Sequence, residues 1–323
     1  VAAHERQVRQ AQKLEEIQGA LDLDNQLAAM CLAHEEQFAQ ASKPSPEEPG
    51  PVDTQAVRNR LIKEAQSGIS ALKLGQRREA KAQALEHLDQ EIEKEKKRIA
   101  DEAEERAGRW DRYWADLEAN EESVVLPTLE QAFEDNDAPA AAVSCRDSRV
   151  DIVMRWPALD DVVPERKAAV TPTGKPTTIK KRSKGERAEL YLEAMSSHAL
   201  ATAKETMAVC PYLDTIGIAV VRAGQDPARG DEILEPIVFG VVQCEQLAGL
   251  NWANISATAA FLSSAEGRIG MRGKGSNKTL FGLSLDDDAE EREFIAQVAA
   301  GLDARVPDEG IDGIPLPVRV LVG

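Results

Sequence analysis

The stretch "ERAELYLEAMSSHALATAKETMAVCPYLDTIGIAVVRAG", residues 186–224, decides the fold because its hydrophobic period changes once, at Pro211. Before the proline the apolar and small residues recur at helical spacing, and after it "DTIGIAVVRAG" is a short, nearly continuous β-branched run of the kind a buried strand needs. A second such run, "EPIVFGVVQCEQL" (235–247), follows across the polar tip "QDPARGDEI" (225–233), so the two read as a hairpin.

Working outward, "RVDIVMRW" (149–156) alternates as a strand, whereas "VVPERKAAVTPTGKPTT" (162–178) reads as a proline-interrupted loop. "NEESVVLPTLEQAFEDNDAP" (120–139) reads as a short helix with Asn120 or Ser123 as its N-cap and Pro127 near its first turn. Residues 286–302, "DDDAEEREFIAQVAAGL", predict a further helix and residues 316–323, "LPVRVLVG", a last strand. Residues 119–323 are thus expected to form an α+β domain, a small and mostly antiparallel sheet covered by helices.

Residues 1–118 have another character. Leu14, Ile17, Leu21, Leu27, Cys31 and Phe38 mark one apolar stripe on a first helix over about 4–40. "SKPSPEEPGPVD" (42–53), with four prolines and a glycine, then ends it as a linker. Helical spacing resumes at Thr54, weakens at "SGIS" (67–70) and runs from 77 to 117 through Leu85, Leu88, Ile92, Ile99, Trp110 and Leu117. A helix of about 40 residues spans roughly 60 Å and needs a partner for its stripe. Either the chain folds back as an antiparallel helix hairpin or two copies form a coiled coil, although Glu95 and Glu102 interrupt a strict heptad. The 1–118 segment is therefore expected to be a helical stalk joined to the α+β domain.

Charged residues are 29% of the chain and aromatics 4%, a balance that suits solvated helices and a small core. A net charge of −17 excludes nucleic-acid binding by the surface as a whole. No run of about 18 apolar residues marks a membrane span, and no signal-peptide pattern opens the chain, so a cytoplasmic protein that avoids membranes is expected. Cys31, Cys145, Cys210 and Cys244 are scattered and read as reduced structural thiols. The chain opens on Val1 rather than Met, which leaves room for a preceding segment that carries an activity.

The motifs of catalysis are missing or fail. His4, His34, His87 and His198 lie far apart with no metal-ligand spacing, and His198 reads as a partly buried helix histidine. In "EGRIGMRGKGSNK" (266–278) the only Gly-Lys pair is Gly273-Lys274. Arg268 stands where a P-loop needs its first glycine and Gly275 where it needs a hydroxyl. No G-x-S-x-G elbow occurs, and the nuclease-like spacing at Glu95, Lys96 and Lys97 sits in a solvated helix. No cofactor and no catalytic residue is expected.

One feature of so acidic a chain asks for a reason. Lys175, Lys180, Lys181, Arg182, Lys184 and Arg187 gather at the mouth of the helix that opens the deciding stretch, where cations oppose the helix dipole. Ser183 with Glu186 three residues on already supplies a capping box. Together with Arg268, Arg272, Lys274 and Lys278 these cations form either an anion site for phosphate or a face that pairs with acidic helices of this or another chain.

"SSHALATAKETMAVCP" followed by "DTIGIAVVR" and "EPIVFGVV", behind a long charged helix, resembles the C-terminal region of a group of uncharacterised bacterial coiled-coil proteins with a domain of unknown function. The likeness covers about 184–242 and implies no catalytic residue; by loose analogy it suggests a stress- or defence-associated setting. The reading is then a non-enzymatic interaction or scaffold protein that self-associates or meets a partner protein through its stalk and presents a basic docking face. The alternative is a nucleic-acid-binding accessory factor of a restriction or defence system.

Overall fold

The computed structural model describes residues 2–45, 48–171, 176–225 and 232–283. The helix expected over 286–302, the strand expected over 316–323 and Lys175 lie outside the described residues. The chain divides into two compact units, one of Val1–Ser42 with Asp116–Gly323 and one of Lys43–Ala115.

The first unit is α+β. Its elements are α1 (Ala2–Met30), α5 (Glu122–Ala132), β1 (Ala140–Arg146), β2 (Arg149–Arg155), α6 (Leu159–Val162), β3 (Arg166–Val170), β4 (Pro176–Lys181), α7 (Lys184–Val209), β5 (Thr215–Gln225), β6 (Glu232–Gln243), α8 (Cys244–Ala248), α9 (Ala257–Ser264), β7 (Ala265–Ile269), β8 (Met271–Arg272) and β9 (Thr279–Leu280). Five strands make one mixed sheet in the order β1-β2-β5-β6-β7. Only β2 and β5 run parallel, and the crossover between them carries α7, as a parallel pair requires. The hairpin expected from the two apolar runs is β5 and β6, paired antiparallel with Ile218 opposite Gly240.

Alternation divides the sheet's two faces. Val150, Ile152 and Met154 of β2 stand in register with Ile216, Ile218 and Val220 of β5, and all six are fully buried. On the opposite face Val153, Ala219, Val221 and Phe239 form a separate cluster. α7 packs against β5 and also touches α1, α5, α6 and α9, which is why every residue from Ala194 to Ala203 is buried. Its Ala, Ser and Thr content follows from that position, because small side chains let neighbouring elements approach on several sides.

Three sequence expectations are corrected here. The proline-interrupted segment 162–178 is not all loop: β3 and β4 pair antiparallel from Arg166 opposite Lys181 to Val170 opposite Pro176. Pro176 opens its strand, where the missing N–H is tolerated. Lys180 and Lys181 therefore lie on a strand and not at a helix mouth. The first helix ends at Met30 and belongs by packing to the unit that holds the sheet, unlike the expected division at 118. Its Ile17 and Leu27 are buried, while Leu14 is exposed. Pro127 lies inside α5 rather than in its first turn.

The second unit is helical. α2 (Thr54–Ala65) and α3 (Leu74–Glu86) are separated at the weak point the sequence marks, where Gly68 takes a φ of 83°, and the long α4 (Leu88–Glu118) begins after a break at His87, inside the helix expected to run from 77 to 117. Asp53 caps α2 by accepting from the Ala56 amide at 2.8 Å. α2 packs on α3, with Arg77 donating to Gln66 at 3.1 Å, and Arg60 of α2 reaches Glu95 of α4 at 3.8 Å. On α4 the charged residues pair along the helix, as Glu93 does with Lys96 at 2.5 Å. Its stripe from Leu88 through Ile92 and Ile99 to Ala103 is half-buried.

Candidate functional site

The basic cluster is built where β4 turns into α7. Ser183 is extended and its Oγ accepts from the Glu186 amide at 3.1 Å, the first half of the expected capping box. Glu186 does not close the box. Its carboxylate accepts instead from Lys167 of β3 at 2.6 Å and stands 3.7 Å from Arg182.

Arg182 is only 6% exposed. Its guanidinium donates to the carbonyls of Pro164 at 3.1 Å and Arg166 at 2.8 Å, and to the Asp24 carboxylate of α1. Asp24 also accepts from the Ala168 amide at 2.9 Å. One arginine thus joins α1, the β3–β4 hairpin and the start of α7. A buried charge needs such partners: both terminal nitrogens of the guanidinium are engaged within the chain, and its Nε is buried 3.7 Å from Glu186, so the group is turned inward rather than toward a ligand.

Arg187 is engaged similarly, donating to the Val163 carbonyl at 2.6 Å and to Asp160 at 2.6 Å. Lys181 lies 3.4 Å from Glu165. The second basic segment does meet the first. The turn at 275–277 packs on α7, and a Cβ on Gly185 would collide with the Gly275 carbonyl oxygen, so the glycine is what lets the segment cross the helix. Within that segment Lys278 pairs with Glu189 at 2.6 Å, and the Arg272 guanidinium stacks 4.2 Å from the Phe281 ring. Arg268 is exposed on β7, in register with Phe239.

The nine cations picked out from the sequence therefore sort by use. Arg182, Arg187, Lys181 and Lys278 are paired with acids of this chain. Lys180, Lys184 and Lys274 are exposed and have no acid partner among the described residues.

Other polar groups lie away from the basic corner. Ser197 and His34 form a nucleophile–base pair on paper, with Oγ and Nδ1 2.8 Å apart. Both are buried, and the same Oγ accepts from the His34 amide at 3.0 Å, so the serine holds the turn that carries His34. Lys204 donates to the carbonyls of His34 and Glu36 and lies 4.6 Å from the Trp252 ring. Glu193 caps α9 by accepting from the Ala257 amide at 2.6 Å and from Ser256 at 2.8 Å. All four cysteines are free, and burial pushes each thiol up, Cys210 to about 12. His198 is buried on α7, as its spacing suggested, with its ring 5.0 Å from Trp156. Burial pushes its imidazole below the usual value, and the Asp137 carboxylate acts in the opposite direction.

Among the described residues no three His, Cys, Asp or Glu side chains gather as metal ligands, and no helix is long and apolar enough to cross a membrane. No family model, no curated protein and no solved structure matches this chain.

Proposed function

We propose that this chain is a non-enzymatic interaction protein whose α+β unit docks an acidic protein surface through Lys180, Lys184 and Lys274. The observation that carries the reading is the burial of Arg182 on Asp24. Bidentate recognition of phosphate favours free arginines, and here the two at the corner are committed to the chain's own carboxylates and carbonyls. Three exposed lysines remain, which as point charges suit an acidic peptide surface. The sealed Ser197–His34 pair supports the non-enzymatic part of the reading.

The helical unit supplies a second contact. The half-buried stripe of α4 gains further burial in a coiled coil with a helical partner or a second copy, and the stress- or defence-associated setting is proposed on the bacterial resemblance alone. A second reading, a nucleic-acid-binding accessory factor, draws on the approach of the two basic segments at Gly185 and Gly275.

Fluorescence titration of a glutamate-rich peptide and of a single-stranded oligonucleotide of equal charge, into the wild type and the Lys184→Glu/Lys274→Glu variant, tests the reading. Peptide binding that the double variant loses supports docking. Preference for the oligonucleotide supports the second reading.

A further inference from the structure

Half-way along α7, away from the basic corner, His198, Thr202 and Glu205 share one helix face by their spacing of four and seven residues, and with residues from two other segments they line a pocket of about 240 Å³. One of these segments leads from α5 into β1 and brings Asp135, Asn136 and Asp137; the other follows α1 and brings Glu36. The described lining residues include four carboxylates, on Glu36, Asp135, Asp137 and Glu205, and no lysine or arginine.

A cluster of acids is ordinary on so acidic a chain, but this one surrounds a different kind of group. His198 is 8% exposed, forms part of the pocket wall, and its Nε2 is sealed from solvent without a hydrogen-bond partner among the described residues. A buried polar nitrogen left unpaired is costly, so a donor that reaches it gains more than one that meets a solvated acceptor. The Asn136 amide donates to Glu205 Oε2 at 2.8 Å, which fixes that carboxylate at the pocket wall. The arrangement offers acceptors and negative charge to whatever enters.

We propose that this pocket binds a small organic cation, a primary ammonium or guanidinium compound of a few carbons. Its charged end meets Asp137 and Asp135 at the exposed rim, and its N–H groups reach the Thr202 hydroxyl and, once a small rotation of the ring brings the sealed Nε2 to the pocket surface, the imidazole of His198. A volume of about 240 Å³ is several times the roughly 30 Å³ of one water molecule, which fits a diamine or a guanidino-alkylamine, and the four carboxylates of the lining repel an anionic nucleotide. The field of a chain with net charge −17 also concentrates cations at its surface.

The test is isothermal titration of the full chain with putrescine and agmatine as probes and 1,4-butanediol as the neutral control, at moderate salt. One saturable site for at least one of the cations, absent for the diol and about tenfold weaker in Asp137→Asn, is the expected result. Asp137 is exposed, so this variant keeps its fold. His198→Gln, checked by thermal melting, is expected to weaken binding as well. No saturable binding up to about 10 mM, equal binding of the diol, or an affinity that Asp137→Asn leaves unchanged overturns the proposal.

Discussion

Asp24 and Arg182, 158 residues apart in sequence, form an ion pair with the guanidinium almost wholly buried. The pair fastens the first helix to the hairpin and to the central helix, and it removes from the basic corner the residue best suited to hold a phosphate. Both the architecture and the functional reading turn on it.

Removing one partner of such a pair leaves the other charged and buried. Arg182→Ala is expected to cost about 3 kcal/mol in urea unfolding, whereas Lys184→Ala, on the exposed side of the same corner, stays within about 0.5 kcal/mol. Equal effects of the two substitutions would mean that Arg182 is no more structural than its neighbour.

Gly185 is a position where a single methyl has no room, because backbone atoms of Gly275 and Ser276 occupy the site of the missing Cβ. Gly185→Ala is expected to cost about 2 kcal/mol and to lift the segment around 273–278 from the helix, read as faster amide exchange there. Unchanged exchange would contradict the close crossing.

Glu193 gives the fold a pH dependence of definite sign. Burial by itself raises its pKa, but hydrogen bonds from Ser256, Thr258 and the α9 amides outweigh it and hold the carboxyl below its usual value. A depressed carboxyl stabilises the fold fully above the ordinary glutamate pKa, about 4.3, and that contribution is lost as the pH falls through the lower, folded value. Glu193→Gln is therefore expected to reduce stability by about 1 kcal/mol at neutral pH and to converge with the wild type in acid, measured by thermal melts across pH 3 to 7.

How much of this was legible in the residues depended on how local the signal was. The step from α7 to β5 and β6 could be read because the hydrophobic period changes across Pro211, and the break before α3 because Gly68 interrupts a polar helix. β1, "AAAVSCR", carries a weak strand signal in its alanines and is held in place by β2. β3 and β4 were hidden by prolines, of which Pro164 precedes β3 and Pro176 opens β4 in a two-stranded sheet apart from the main one. The basic corner was visible as charge, but its use was not, since the partners of Arg182 and Arg187 lie in other segments and spacing says nothing of them. The pocket at His198 was missed for the same reason: its carboxylates come from three separate segments.

The proposed docking role of the basic corner requires that its arginines serve the fold and that its exposed lysines meet protein rather than phosphate. The most direct measurement is a titration of short DNA and RNA at about 50 and 200 mM salt with the wild type and with the Lys184→Glu/Lys274→Glu variant. A docking face is expected to show no salt-sensitive nucleic-acid binding that depends on those lysines. Binding that weakens steeply with salt and disappears in the variant would contradict it and make the corner a phosphate site.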